Sequence, residues 1–254
     1  MSVDLLDDLE AGELSVEFEG AEPQELLEWA FERFAPAIAI STAFQIDGVA
    51  LIDMAYELDP NVEVFSVDTG RLPEETHTLI DRVRATYGIA VDVYAPDAAS
   101  VEAFVRASGV NAFYASPTLR EQCCALRKTH PLARALAGKR AWITGLRRGQ
   151  SITRRDVAVE EFDAAHGLVK FNPLADWSRD DVWSYVHENG VPYNALHDRG
   201  YASIGCAPCT RAVEPGEDER AGRWWWESAD RRECGLHRRP AAVPIVAATA
   251  GAAA

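Results

Sequence analysis

Several features are missing from the 254-residue chain, and each absence excludes a class of protein. No apolar run approaches the ~20 residues that a membrane-spanning helix requires, so we expect no membrane partner. Residues 1–32 hold eleven acidic side chains and neither Lys nor Arg, unlike a signal peptide. The net charge of −15 argues against nucleic acid as a partner. We therefore expect a cytoplasmic protein with reduced thiols, in which disulfides are the weaker interpretation of the five cysteines.

The sequence does contain the alternation of a Rossmann-like α/β fold, a parallel sheet flanked by helices. The first half predicts helices over 23–34, 48–58 (capped by Asp47) and 73–87, and strands over 37–40, 62–67 and 89–94. The second half predicts a helix over 121–136 that begins near Cys123 and is kinked by Pro131, strands over 141–144, 157–160 and 168–171, and a helix over 178–189.

Ligands of such sheets bind beyond the carboxyl ends of the strands. Those ends are predicted at Ser41-Thr42 and at Asp68-Thr69-Gly70-Arg71. Neither stretch is a G-x-G-x-x-G or a Walker A sequence, so a Rossmann dinucleotide site and a P-loop lack support.

Four of the five cysteines form two pairs, Cys123-Cys124 and the C-x-x-C of Cys206 and Cys209. Four thiolates are the ligand count of zinc sites and of iron–sulfur sites. Adjacent cysteines on a helix diverge by about 100°, which a single ion tolerates less well than a cluster with several irons. The spacing favours iron–sulfur and leaves zinc open.

The fifth cysteine, Cys234, stands in different surroundings. Five cationic or titratable neighbours lie within five residues of it, against two acids: Arg231, Arg232, His237, Arg238 and Arg239, with Asp230 and Glu233. Cations lower a thiol pKa and favour the nucleophilic thiolate. The pattern predicts a reactive nucleophile rather than a buried structural cysteine.

Cationic and aromatic residues are also gathered in two stretches. Residues 122–155 contain nine Lys or Arg and no acid, which indicates either a small-anion site or a solvated helix face. Trp224, Trp225 and Trp226 predict a partly buried helix that would aim Arg220 and Arg223 together at an anion.

Seven stretches together resemble the assimilatory adenylyl-sulfate (APS) reductases of the iron–sulfur type, over about residues 37–237. The stretches are VFSVDTGRLPEET, CCALRK, GLRRGQS, FNPLADWSRDDVWSYV, VPYNALHDRGYASIGCAPCTR, GRWWW and ECGLH. The resemblance implies an adenine nucleotide hydrolase-like fold. The related 3′-phosphoadenylyl-sulfate (PAPS) reductases share the fold and ECGLH but lack the paired cysteines.

The resemblance assigns roles residue by residue. It implies a [4Fe–4S] cluster on Cys123, Cys124, Cys206 and Cys209, with Cys234 as nucleophile. The implied substrate-binding residues are Lys128, Arg220, Arg223, Ser41, Asp68, Thr69, Gly70, Arg71, Gly145 and an arginine after Thr153, with Arg154 preferred over Arg155. At 42–44 the sequence departs from the Ser- and Gly-rich family pattern, which leaves Ala43 only its backbone N–H for contacts.

The implied reaction is attack of the Cys234 thiolate on the sulfur of APS, which releases AMP and leaves an S-sulfocysteine. Reduced thioredoxin would then release sulfite. The implied organisation is an acidic segment over 1–22, a nucleotide- and cluster-binding domain over 23–215, a mobile catalytic segment over 216–239 and a disordered tail over 240–254. Both a monomer and a homo-oligomer stay open.

Three alternatives remain at this point. A PAPS reductase could carry the four cysteines as vestiges or as a zinc site. A zinc-stabilised, non-catalytic nucleotide-binding protein would have little use for the cation-flanked Cys234. An ATP-using pyrophosphatase relative would need a Gly-rich pyrophosphate loop, which residues 41–44 do not provide.

Overall fold

The computed structural model describes residues 17–229, 232 and 233. The predictions for the segment before residue 17, for Cys234 and for the tail lie outside the described residues. Within them six strands form one sheet, and most of the strands are short apolar stretches of sequence. The strands are β1 (Ile38–Ser41), β2 (Val64–Val67), β3 (Val91–Tyr94), β4 (Ala141–Thr144), β5 (Glu160–Asp163) and β6 (Leu168–Phe171).

The sheet has the strand order β3-β2-β1-β4-β6-β5. Every neighbouring pair is parallel except β5 and β6, which run antiparallel at one edge. The chain builds outward from β1 to β3 and then returns to place β4 on the other side of β1, with Ser41 opposite Thr144. The order reverses between β1 and β4, which is where open α/β sheets form a ligand crevice. The predicted α/β fold is confirmed.

The helices cover both faces of the sheet. They are α1 (Pro23–Phe34), α2 (Ile46–Leu58), α3 (Glu74–Tyr87), α4 (Ala98–Ser108), α5 (Pro117–Cys124), α6 (His130–Ala135) and α7 (Arg179–Glu188). Local signals set their ends: Gly88 stops α3 with a left-handed φ of 69°, and Ser178 with Asp181 forms a capping box at α7.

Four details of the prediction are wrong. Asp47 does not cap α2, because the helix begins at Ile46 and the Asp47 carboxylate pairs with Arg147 instead. The helix predicted over 121–136 begins at 117, where Ser116 and a proline start α5. A strand predicted over 157–160 lies at Glu160–Asp163, and α4 was not predicted at all.

The hydrophobic core has two parts, one on each face of the sheet. The larger part packs α1, α2, α3 and α7 against the strands, with Phe34 and Phe171 fully buried. The smaller part packs Leu132 and Leu136 against Trp142. Among the described residues, no helix has both the length and the apolar character of a bilayer span.

After residue 191 the chain changes character. We call residues 192–229, 232 and 233 the C-terminal layer, and residues 23–191 the body. The described residues of the C-terminal layer form short 3₁₀ turns at His197–Arg199 and Ala207–Cys209 and a single antiparallel bridge between Thr210 and Arg223. The helix predicted around the tryptophan triplet is therefore wrong: only Trp224 is fully buried, and Trp225 is exposed.

Candidate functional site

A cavity opens at the carboxyl edge of the sheet, between β1 and β4. We call it the sheet-edge cavity, and it encloses about 1040 Å³ of empty space when its open mouth is included. Seven of the predicted substrate residues line it: Ser41, Thr69, Lys128, Gly145, Arg154, Arg220 and Arg223. The structure thus brings together residues separated by up to 182 positions, since Ser41 and Arg223 share one wall.

The loop after β1 forms the floor of this cavity. Phe44 adopts a left-handed φ of 53°, and its N–H donates to the Thr42 hydroxyl at 2.9 Å. The Thr42 side chain lies where a Cβ on residue 48 would stand, so Gly48 is required for this close approach. The tight turn sets the amino terminus of α2 facing the cavity, an arrangement that suits an anion.

A buried ionic network joins three walls of the cavity. Arg147 donates through Nε to Asp47 at 2.5 Å and through Nη2 to Glu219 at 2.9 Å. Asp47 belongs to α2, Arg147 to the loop after β4, and Glu219 to the C-terminal layer beside Arg220. Burial raises the pKa of the Glu219 carboxyl, while the charge of Arg147 acts in the opposite direction. The network fixes the position of Arg220 relative to the sheet.

Two arginines of the cavity converge on one carboxylate, that of Glu233. Arg154 donates to it through Nε and Nη2, both at 3.0 Å, and Arg220 donates through Nη2 at 3.3 Å. Arg154 is buried whereas Arg155 is exposed, so the structure places Arg154 in the site.

Arg223 enters the cavity from a different direction. Its Nη1 donates to the Ile204 carbonyl at 3.1 Å. A Cβ at Gly205 would overlap the guanidinium, so only glycine leaves room for it there. Arg220 and Arg223 reach the same cavity from a turn rather than from one face of a helix.

Only two of the nine cations in residues 122–155 line the sheet-edge cavity. Lys128 and Arg154 line the cavity. Five others bind acceptors of the protein itself: Arg127 the Thr69 carbonyl, Arg134 the Ala95 carbonyl, Lys139 the Glu63 carboxylate, Arg147 its network, and Arg148 Glu19 and Asp176. Charge density alone therefore overstated the number of cations near a small anion.

Three predicted residues after β2 do not line the cavity. Asp68 accepts the N–H of Gly70 at 2.8 Å and contacts His77 Nε2 at 3.2 Å. Arg71 donates to the Val110 carbonyl and lies over the Phe113 ring, in the wall of a second cavity. Their part in substrate binding stays a prediction, and the contacts indicate that they shape the turn.

The second cavity is small and is lined by all four paired cysteines. Cys124, Cys206 and Cys209 are buried, Cys123 is partly buried, and none of the four forms a disulfide. Burial raises the pKa of the Cys123 thiol. Burial and the nearby Cys206 raise the pKa of the Cys209 thiol to about 12. The Thr69 hydroxyl contacts Cys206 Sγ at 3.2 Å. A set of buried thiols is favourable when a positive centre binds them as thiolates.

A π-helical turn, Ala125–Thr129, connects Cys124 to α6 and carries Lys128. Pro131 has no N–H to donate to the Arg127 carbonyl, and the His130 N–H reaches Ala125 instead. The predicted kink at Pro131 is thus a change of helix type. Lys128 consequently lines both cavities, so its ammonium lies between the thiols and the larger site.

Trp224 closes the thiol cavity from the C-terminal layer. It has a left-handed φ of 42°, and its N–H donates to the Cys209 carbonyl at 3.2 Å. Arg120, Lys128 and Arg223 lie 4.8–5.6 Å from its ring centroid. Its buried indole N–H has no acceptor among the described residues.

These features fit an anionic group in the thiol cavity better than a single ion. Among the residues that the structure describes, no group of three or more His, Cys, Asp or Glu side chains is arranged to hold a metal ion. Four thiols nevertheless line one cavity, which also contains Arg71, Arg120, Arg127 and Lys128. A cation-lined cavity with an unused N–H suits a group that carries negative charge and acceptor atoms.

Comparison with known proteins agrees with this arrangement. Residues 37–212 match the phosphoadenosine phosphosulfate reductase domain. The chain belongs to the phosphoadenosine phosphosulfate reductase family. That match covers the whole sheet and both cysteine pairs.

Two relatives are adenosine 5′-phosphosulfate reductases. The protein from Pseudomonas aeruginosa (strain LESB58) is 51% identical over 221 residues, which cover 85% of this chain and 82% of the relative. The protein from Allochromatium vinosum is 49% identical over 203 residues, which cover 80% and 79%.

Two solved structures have the same architecture, and one of them is a member of the family. The PAPS reductase of Candida auris, crystallised as a phosphate complex, has a TM-score of 0.70 and 31% identity over 82% of this chain and 98% of its own. Yeast FAD synthetase shares the fold alone, with a TM-score of 0.54 and 14% identity over 83% and 70%.

Several residues of this family member escaped the sequence reasoning. Thr144 and Gln150 line the sheet-edge cavity, and the position of Thr144 at the end of a strand was a usable signal. The burial of Trp224 agrees with the expectation from the tryptophan triplet, but its packing against Cys124, Cys206 and Cys209 had no signal in the sequence. Arg120 and Glu227, which form a buried pair, gave no local signal because they are 107 positions apart.

Proposed function

We propose that the protein reduces adenylyl sulfate to sulfite and AMP. The observation that carries this proposal is the position of Lys128, a cation that lines both the sheet-edge cavity and the cavity of the four thiols. The two relatives near 50% identity are named for adenylyl sulfate, whereas the Candida auris PAPS reductase is 31% identical. This difference supports adenylyl sulfate over its 3′-phosphorylated form.

The substrate's adenosine would occupy the crevice between β1 and β4, beside Ser41 and Gly145. Its phosphosulfate would face Lys128, Arg154, Arg220 and Arg223. Arginine forks match phosphate and sulfate oxygens in pairs, and they neutralise charge as one anion attacks another.

Cys234, which lies outside the described residues, is the proposed nucleophile. Its thiolate would attack the sulfate sulfur, form an S–S bond and break the bond between that sulfur and the bridging phosphate oxygen. The electron pair of that bond leaves with AMP. Since AMP is a good leaving group, no general acid is needed, and the arginines provide the stabilisation.

Reduced thioredoxin is the proposed reductant. One of its thiolates would attack Sγ of Cys234 and expel sulfite with the electron pair of the S–S bond. Its second thiol would resolve the mixed disulfide, which returns Cys234 as a thiol and leaves thioredoxin oxidised. Two electrons thus pass from the dithiol to the sulfur.

Cys123, Cys124, Cys206 and Cys209 would hold a [4Fe–4S] cluster. Support comes from the four thiols in one cation-lined cavity and from the free indole N–H of Trp224. When bound, such a cluster would supply an anionic centre, and its ligands would come from both the body (Cys123 and Cys124) and the C-terminal layer (Cys206 and Cys209). Reduced thiols of this kind support a cytoplasmic location as part of the proposal.

Trapping the intermediate tests this function. Protein purified without oxygen is mixed with APS in the absence of thiols, and we expect stoichiometric AMP and a sulfite adduct on Cys234 by mass spectrometry. Adding reduced thioredoxin should release the sulfite. PAPS in place of APS should form the adduct at least tenfold more slowly.

A matched variant supplies the control. Cys234→Ser should keep its iron and bind APS but form neither adduct nor sulfite, because a hydroxyl is far less ionised than a thiol. Adduct on another cysteine would refute the assigned nucleophile, and faster turnover of PAPS would reassign the substrate.

A further inference from the structure

Glu233, the residue before the proposed nucleophile, places its carboxylate on two of the three arginines that line the cavity, Arg154 and Arg220. Arg154 binds both carboxylate oxygens, and Arg220 binds one of them. The remaining Nη1 of Arg154 donates to Gln150. All the side chains in this contact are buried or largely buried.

This carboxylate is chemically equivalent to part of the expected ligand. The guanidinium fork offers the same pair of parallel N–H groups to a carboxylate, a phosphate or a sulfate. Arg154 has committed Nε and Nη2 to Glu233, so a phosphosulfate cannot use that edge until the carboxylate leaves. One site therefore has two mutually exclusive anions.

The backbone around Glu233 has separate anchors. Arg120 donates through Nη1 to the Glu233 carbonyl at 3.1 Å, and Arg232 donates through Nε to the Glu227 carbonyl at 3.0 Å. Arg120 lines the thiol cavity and not the sheet-edge cavity. Loss of the carboxylate contact would thus free the side chain of Glu233 while Arg120 keeps its backbone close.

We propose that the Glu233 carboxylate is an internal occupant of the anion site formed by Arg154 and Arg220. The phosphosulfate of the substrate displaces it, which couples substrate binding to release of the side chain of the residue that precedes Cys234. This inference rests on the proposed function, because it takes the arginines as the phosphosulfate site. Glu233 is then a positioning residue that acts before the chemical step.

Equilibrium binding tests the proposal. In the Cys234→Ser background, which cannot consume substrate, the dissociation constant for APS is measured by calorimetry with and without Glu233→Gln. APS can bind only while the internal competitor is away from the site. The apparent affinity is therefore the intrinsic affinity multiplied by the fraction of time for which the site is vacant. Removing its charge should therefore tighten APS binding by roughly tenfold.

Two controls isolate the anion site. Adenosine, which has no phosphate, should bind both proteins equally. Glu217→Gln makes the same charge change on a carboxylate of the C-terminal layer that pairs with Arg211, away from the cavity, and should leave APS binding unchanged. Thermal melting of each variant checks that the fold is intact.

The outcomes separate this inference from the function beneath it. If the Cys234→Ser protein binds APS and the added Glu233→Gln change leaves binding equal or weaker, the proposal that Glu233 competes with substrate is refuted and the proposed function stands. Equal tightening by Glu217→Gln would show a general charge effect and would also overturn the inference. Absence of APS binding in every variant would remove both.

Discussion

The body and the C-terminal layer are held together by different forces. In the body, apolar side chains pack across the sheet, as Trp29, Phe34 and Phe171 do with ring centroids 5.6–6.1 Å apart. Around the C-terminal layer, arginines of both regions bind carboxylates and carbonyls, next to the two cysteines of the layer and one buried tryptophan. The site lies where the two regions meet.

This difference separates stability from function. Apolar packing is non-directional and indifferent to ligands, so the body supplies a rigid edge. Ionic and thiol contacts are directional and compete with ligands, so the C-terminal layer can respond to metal, substrate, salt and pH. Perturbations of the two regions should therefore have distinguishable consequences.

The largest effect should follow replacement of a paired cysteine. Cys209→Ser should lose iron and essentially all APS turnover, because a cluster without its fourth thiolate is not held. Far-ultraviolet circular dichroism should still show the helices of the body. Iron analysis and activity are the measurements, and retention of both would contradict the role of the thiol cavity.

The body responds to cavities in its core. Phe171→Ala removes a fully buried ring that packs on two others, so we expect a loss of about 3–5 kcal/mol in the free energy of unfolding. Urea denaturation measures this loss. The dissociation constant for APS should change less than twofold in the protein that remains folded. Trp225→Ala, an exposed ring of the C-terminal layer, is the control and should cost far less.

The sequence predicted the body well because its signals are local. Apolar spacing placed α1 and the strands β4 and β6 at their observed bounds, and Ser178 marked the start of α7. Ends of strands then pointed to Ser41 and Thr69 as site residues. Periodicity and capping depend only on neighbours in the chain, so one sequence suffices.

The C-terminal layer was predicted poorly because its contacts are distant in sequence. Trp224 owes its conformation to thiols and arginines up to about a hundred positions away, and local propensity suggested a helix instead. The pairing of Arg154 with Glu233 joins residues 79 positions apart. The family resemblance predicts Cys234, Arg220 and Arg223 as functional residues, but it does not predict the contacts that hold the two arginines.

A somewhat smaller effect is expected from the buried pair of Arg120 and Glu227. Arg120 binds the carboxylate through Nε and Nη2 at 3.0 and 2.9 Å. Glu227→Gln should remove the buried carboxylate that binds two nitrogens of Arg120 and leave, within the described part of the chain, only the exposed Glu121 carboxylate at 3.8 Å, so it should destabilise the C-terminal layer by about 3 kcal/mol. Hydrogen exchange should show this as local opening of residues 203–229 while amides of β1 and β4 keep their protection.

A double variant sharpens that measurement. Arg120→Met with Glu227→Leu removes both charges, so it should cost less than Glu227→Gln alone. Equal protection loss in β1 and in the C-terminal layer would mean that the two regions unfold as one unit, which would break the comparison.

A smaller and more local effect is expected at Gly205. Gly205→Ala places a Cβ on the guanidinium of Arg223 and should displace that arginine from the cavity. We expect kcat/KM for APS to fall by about 10- to 100-fold, or roughly 1.4–2.7 kcal/mol, with little change in global stability. Ala207→Gly, a small change in the same turn, is the control. Normal kinetics in Gly205→Ala would show that Arg223 does not act on substrate.

The smallest effect concerns an exposed ion pair of the C-terminal layer, Arg211 with Glu217. The hydrogen bond from Arg211 lowers the pKa of the Glu217 carboxyl from its ordinary 4.5 to about 2, and the Glu214 N–H acts in the same direction. Since the folded-state pKa is the lower one, the pair stabilises the folded protein above pH 4.5, and this contribution is lost as the pH falls toward 2.

Glu217→Gln should therefore be slightly less stable than the wild type at pH 7 and should converge with it as the pH falls below 4. The difference at pH 7 should shrink in 1 M salt, because exposed pairs are screened. Urea midpoints at several pH values measure both trends. A difference that grew with added acid, or that ignored salt, would mean that Glu217 is held by packing, as in the body, and that the division between the two regions does not extend to this turn.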